Sequence, residues 1–332
     1  MQPREVAMRE GWHRALDVQM DTHKWCLSDL GALYNFGFMG EVMSKVLDSK
    51  NPEMDEHALR LVSISLSEVY VQALYRADTL YITSDMMHML LQAAHDLPED
   101  AQFDEHVLIT PTGFCLFEEP IVGVDRHEKK ILIHGLVWSK QLLQSREDGK
   151  DMGVVIFFLV DPTDPIDDYN TKFAEQMRET GITLPPLALQ HFYPARFGDT
   201  LPHTPEDQTV MGSLIIHETL KLFIAMQLVA QQKIGEPIQM RPDRATRRRY
   251  AREYGGERLI TLITLRRKSV KKDDEEAAKV EWSRRWVVKG HWRRQWYPKS
   301  QTHDYVYIYE YVKGPEDKPL VLSERRVFNF AR

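Results

Sequence analysis

Between Trp282 and Tyr311 the aromatic residues keep a two-residue period. That alternation constrains the chain more than any other feature. Trp282, Trp286, Trp292 and Trp296 share one parity, together with Arg284 and Arg294. An extended strand puts such residues on one face, which leaves Arg285, Lys289, His291, Arg293 and Gln295 on the other. Tyr305, Tyr307, Tyr309 and Tyr311 again share a parity, against Val306, Ile308 and Val312. Pro298–Asp304 has the composition of a connecting loop. The pattern predicts a twisted antiparallel pair, with Trp and Tyr on one side and aliphatic or basic residues on the other. Gly290 either bends the first strand or lets another group approach its backbone.

Upstream the period changes. Leu59, Val62, Leu66, Val69, Val71 and Leu74 form a broad stripe at helical spacing, predicting a helix over 57–77. Ser84 is placed to cap a helix over 85–94, and residues 29–50 mix apolar residues with glycines. From His106 the runs become short and β-like: 106–110, 114–117, 130–138 and 154–160. Residues 161–168 read as an acidic turn, 169–180 as a helix closed by Gly181, and 191–205 as irregular around Pro194 and Pro202. The longest helix is expected from Pro205 to about Lys233, with Thr204 as cap, Gly235 as stop, and an apolar content that suggests burial. The expected class is therefore α+β. A helical region spans 1–100, a mixed region 101–240, and a β-rich, basic, aromatic module 241–332.

Charge follows the same division. The chain of 332 residues carries a formal charge of −6. Residues 241–299 hold about nineteen Lys and Arg against about eight Asp and Glu, a net near +11, which leaves residues 1–240 near −17. A basic segment on an acidic body suits an anionic partner, and nucleic acid is the natural one. In RATRRRYARE, an expected helix with a Gly255–Gly256 stop, Arg244, Arg248 and Arg252 fall on one edge with Arg241 nearby. Guanidinium groups in a row repel one another unless an anion lies opposite, and phosphate accepts from them bidentately. Asp243, Glu253 and Glu257 could instead neutralise that edge as an ordinary solvated face.

The candidate nucleic-acid contacts are Arg244, Arg248, Arg252, Lys289, Arg293 and Arg294, with Trp292, Trp296 and Tyr297 as stacking platforms where exposed. Aromatic stripes also serve as core, and in that case the Arg/Lys/His/Gln face still points outward. Gly290-His291-Trp292-Arg293-Arg294-Gln295-Trp296-Tyr297, followed by Tyr311-Val312-Lys313-Gly314-Pro315, resembles a GHWRxQxY…YxKGP module of uncharacterised proteins from actinobacteria and their phages. The resemblance covers roughly the last ninety residues, implies a phage or mobile-element setting, and transfers no catalytic assignment.

An enzymatic alternative is a metal-independent ribonuclease with His291 as base, His303 as acid, and Arg293 or Lys313 as electrostatic stabiliser. A third class is a protein-interaction or assembly component whose acidic amino-terminal region meets a basic partner. Metal chemistry has little support. Asp161, Asp164, Asp167 and Asp168 could hold Mg²⁺ but read as a solvated loop, and His217-Glu218 lacks the second histidine of HExxH. His88 and His95 are seven apart, without sulfur or carboxylate support. No phosphate-binding glycine motif appears, so no cofactor is expected. Mean hydropathy is −0.43, and no apolar run reaches the roughly 20 residues of a membrane span. The first residues do not read as a secretory signal, and Cys26 and Cys115 form no disulfide framework. A cytoplasmic protein is expected.

Overall fold

The computed structural model describes residues 11–35, 56–98, 101, 103–124, 130–144, 150–164, 175, 179–181, 183–198, 213–232, 237–264, 284–298, 301–315 and 317–321. In chain order the elements that position the site are α1 (Ala15–Cys26), α2 (Glu56–Arg76), β1 (Asp78–Ile82), α3 (Ser84–His95), β2 (Thr112–Val124), β3 (Lys130–Gln144) and β4 (Lys150–Val160). They continue with β5 (Ala188–Arg196), α4 (Ser213–Ala230), β6 (Ile238–Met240), α5 (Arg244–Glu253) and β7 (Ile260–Ile263). Last come β8 (Arg285–Val288), β9 (His291–Tyr297), β10 (Thr302–Ile308), β11 (Tyr311–Lys313) and β12 (Leu320–Val321). The fold is α+β, helical towards its amino terminus and rich in strands at its carboxy-terminal end.

A seven-stranded mixed sheet in the order β5-β4-β3-β2-β1-β7-β6 forms the centre. β1 runs parallel to both neighbours, β2 and β7, while the outer pairs are antiparallel. A parallel core strand requires apolar cover on both faces, and the strand sequences supply it on both parities. Leu80, Ile82, Cys115, Leu136, Trp138, Ile156 and Phe158 face α3 and α4. Phe114, Val137, Val155 and Phe157 face Tyr70 and Leu74 of α2. Further along that second face, Tyr81, Ile260 and Leu262 meet Leu16 and Met20 of α1 and Tyr250 of α5. Trp138 is fully buried; its indole N–H donates to the Thr110 carbonyl at 3.0 Å, and Phe223 meets its ring edge-on at 5.5 Å.

Several expectations need correction. Besides its helices the first region contains β1, an interior strand of the sheet. The sheet also takes strands from both sides of residue 240, because β7 lies between β1 and β6. Residues 106–110 form no strand; the chain makes a 3-10 turn over Glu105–Val107. Residues 191–196 are not irregular but complete β5, where Pro194 is tolerated because an edge strand has one side free of ladder bonds. At α3 the N-cap is Thr83 rather than Ser84, and the Ser84 N–H is satisfied by the Glu118 carboxylate at 2.7 Å. The apolar helix α4 is buried as expected, while its anticipated start at 205–212 and most of the 169–180 helix lie outside the described residues.

The carboxy-terminal strands form two small sheets, β10-β9 and β11-β8-β12. The extended face expected across 282–296 is therefore broken at Lys289–Gly290, with Trp286 in one sheet and Trp292 in the other. Trp282 lies outside the described residues. At the break Gly290 is buried against Tyr307, and a Cβ there would collide with the Tyr307 hydroxyl. Gly314 is constrained similarly, with φ +115° and its Cβ position 2.6 Å from the Arg284 carbonyl oxygen. Gly290→Ala is expected to destabilise the protein by about 1–3 kcal/mol in urea unfolding, the range for overpacking. Tyr307→Phe should cost little, because the hydroxyl it removes is buried and has no hydrogen-bond partner among the described residues. Combining the two should recover part of the Gly290→Ala loss.

Candidate nucleic-acid interface

The β9–β10 ribbon is the antiparallel pair the aromatic periods predict, but shorter, since β10 ends at Ile308 and Tyr311 pairs with Val288 in the other small sheet. Tyr307 lies opposite Trp292, Tyr305 opposite Arg294, and His303 opposite Trp296. Cross-strand partners share a face, so this side carries Trp292, Arg294, Trp296, His303, Tyr305 and Tyr307. The other side carries His291, Arg293, Gln295, Asp304, Val306 and Ile308.

One end of the aromatic face is locked to the body. The Trp292 indole N–H donates to the Ala93 carbonyl of α3 at 2.7 Å, and its ring meets Tyr307 at 5.2 Å with planes 62° apart. Tyr307 is 2% exposed, and burial pushes its phenol up to about 12. Its backbone N–H donates to Gln232 Oε1 at 3.1 Å. Trp292 is accordingly an anchor, as the core reading of the stripe allows.

The other end is open. Trp296 is 43% exposed and rests on His303, with ring centroids 4.7 Å apart, and Arg294 is exposed on the same face. Arg293 is exposed on the reverse face, and Lys289 is exposed at the junction before β9, where its carbonyl accepts from His291 Nδ1 at 2.9 Å. Asp304 is engaged by His106 Nε2 at 3.2 Å. The Tyr297 side chain lies outside the described residues.

Helix α5 follows from its sequence. Asp243 caps it by accepting from the Ala245 and Thr246 N–H groups at 2.7 and 3.1 Å, and those bonds hold its carboxyl below the usual range. Gly255 and Gly256, at φ +77° and +70°, stop it. On its inner side the Thr246 hydroxyl donates to Asp17 at 2.7 Å, and Arg249 is clamped by Asp21, Asp17 and Glu253. Tyr250 and Tyr254 stack at 5.1 Å, and Tyr254 shares a 2.8 Å hydrogen bond with His23 Nδ1 of α1. Desolvation lowers the pKa of His23, so the imidazole is held neutral.

The outer edge is partly neutralised. Arg252 pairs with Glu253 at 2.9 Å and Arg241 with Glu257 at 3.6 Å. Arg244 and Arg248 are exposed and meet no carboxylate among the described residues.

The structure does not unite these groups. α5 packs with α1 on one face of the seven-stranded sheet, while the ribbon packs with α3 and α4 on the other. The basic residues named as candidate contacts therefore lie on two separate surfaces. The proposed acid–base pair also fails geometrically. His291 lies opposite Ile308 and His303 opposite Trp296, which puts them on opposite faces of the ribbon and five residues apart along it, roughly 16 Å. Lys313 lies in the other small sheet, its ammonium 6.0 Å from the centre of the Trp286 ring.

The other candidate groups are occupied locally. Asp161 accepts from the Thr163 N–H and hydroxyl at 2.8 and 2.6 Å, and Asp164 meets His134 Nε2 at 2.6 Å. Asp167 and Asp168 lie outside the described residues, and among those described no cluster of three His, Cys, Asp or Glu could hold a metal. Burial pushes the Cys26 thiol up to about 11 and the Cys115 thiol higher still, which suits neither as a nucleophile. The pairs His134–Asp164 and His23–Tyr254 had no signal in sequence spacing, since their partners are 30 and 231 residues apart.

No protein-family model and no curated protein matches the chain. Among solved structures, one titled "Crystal structure of AcrVA2" matches over 93% of this chain and 97% of its own, at 12% identity and a TM-score of 0.39. No described helix is long and apolar enough to cross a membrane.

Two measurements test the attachment of α5. Neutral His23 resists protonation in the folded state but takes up a proton near its ordinary value of 6.5 once unfolded. Its contribution to stability should therefore be complete above about pH 6.5 and decline as pH falls through that value towards the lowered folded one. His23→Gln should flatten the fall in Tm between pH 7 and 5. Arg249→Met should cost about 1 kcal/mol, the upper range for partly exposed ion pairs. Arg248→Met, with no carboxylate to lose among the described residues, should change stability by less than about 0.5 kcal/mol.

Proposed function

We propose that the chain binds nucleic acid and that the distal half of the β9–β10 ribbon is the contact. The observation that carries this reading is Trp296. It is exposed beside Arg294, at the free end of a ribbon whose other end Trp292 locks to α3. A large indole left in water among cations offers a base a π-face, while the neighbouring guanidinium meets the phosphate. Arg293 and Lys289 extend the positive charge to the reverse face and the base of the ribbon. The separation of His291 from His303 favours binding over cleavage. The likeness of this segment to proteins of actinobacteria and their phages gives the reading a phage or mobile-element setting, in the cytoplasm of the cell where the nucleic acid is.

The test is binding of the intact chain to fluorescent single-stranded RNA and DNA and to duplex DNA across a salt series. Three phosphate contacts predict a log–log salt slope of about −2 on single strands. Arg293→Glu with Arg294→Glu should weaken binding at least tenfold at low salt and flatten the slope. Trp296→Ala should weaken it by about 1–3 kcal/mol with the slope unchanged. A folded charge-reversal variant that binds with unaltered affinity and slope would reject the assignment.

A further inference from the structure

We infer that α5 carries a second polyanion contact, so that one molecule holds two segments of nucleic acid on opposite sides of its sheet. The inference rests on the reading of the ribbon given above. Its first support is selective neutralisation. The chain provides carboxylates for Arg241, Arg249, Arg252 and Arg258, yet it leaves Arg244 and Arg248 exposed and, among the described residues, without a carboxylate. Like charges at i and i+4 work against a helix. α5 tolerates them because its inner side is fixed by the Asp243 cap, the Arg249 clamp and the Tyr250–Tyr254 stack. The edge is thus held in place before any ligand arrives.

Its dimensions suit a phosphate backbone. Arg244 and Arg248 stand one helical turn apart, about 6 Å along the helix. Phosphates of a strand rise about 3.4 Å per nucleotide along a duplex axis, so roughly two steps separate the phosphates the pair would meet. The one aromatic residue of α5, Tyr250, is buried on its inner side, which makes the Arg244–Arg248 edge a contact for the backbone rather than for bases. A short strand on this edge does not reach the ribbon. The sheet and a helical layer lie between them, roughly 20 Å of protein.

The test uses the full chain, shown to be monomeric by sedimentation, with single strands of about five nucleotides, one biotinylated and one fluorescent; at about 3.4 Å per nucleotide such a strand is too short to bridge the two contacts. Wild-type protein should retain the fluorescent strand on streptavidin beads and bind two strands per molecule. Arg244→Glu with Arg248→Glu should still bind one strand within about threefold of the wild-type affinity, while bead retention falls at least tenfold. Arg244→Gln with Arg248→Gln should show the same split in smaller measure, which covers a failure of the first variant to fold. Arg293→Glu with Arg294→Glu should abolish retention too. If the wild type binds one strand only, or if the α5 variants retain the fluorescent strand as the wild type does, the second contact is overturned and the ribbon reading stands. If the wild type binds no strand at all, both are overturned.

Discussion

Apolar burial on both faces of the seven-stranded sheet is the constraint on which the rest depends. β1 pairs in parallel with β2 and β7, so no side of the centre can be left to water. α1, α2 and α5 cover one face, and α3, α4 and the base of the ribbon cover the other. Once β7 pairs beside β1, α5 immediately before it is committed to the first face, through Tyr250 against Ile260 and Leu262. The ribbon is committed to the second face by Trp292 and Tyr307. Two arginine-rich segments that are neighbours in sequence are thereby held apart in space.

What could be read from the sequence was what local periodicity encodes. The stripe from Leu59 to Leu74 falls within α2, and the Trp and Tyr parities set the register of β9 on β10. The Arg244–Arg248–Arg252 edge with its glycine stop became α5. What failed depended on context. Pro194 argued against a strand, but β5 is an edge where a missing N–H is harmless. His106–Thr110 has β-like composition, yet the chain turns there, and the Thr110 carbonyl accepts from the Trp138 indole N–H. The run 282–296 looked continuous because nothing local reveals that Tyr307 occupies the space beside Gly290.

The candidate site divides along the same line. Residue types and faces were legible, including which acids would blunt the α5 edge: Glu253 and Glu257 do so, while Asp243 is spent on the cap. Which residues share a surface was not legible, because that depends on β7 inserting between β1 and β6, more than 170 residues after β1 in the chain. The segments Gly290–Tyr297 and Tyr311–Pro315 likewise become intelligible only in three dimensions. Their two glycines make room for neighbours, and their first tryptophan is an attachment point, so much of both segments encodes folding and not contact with a partner.

That attachment has a consequence for how the carboxy-terminal residues can be handled. The Ala93 carbonyl belongs to the last turn of α3, where a helix has no later N–H of its own to offer, and the Trp292 indole fills the vacancy from almost 200 residues away. The ribbon therefore finishes a helix that the chain began long before. Grafted onto another scaffold it would arrive without its footing, and a protein shortened ahead of β9 would leave an unsealed helix end at the rim of its main core.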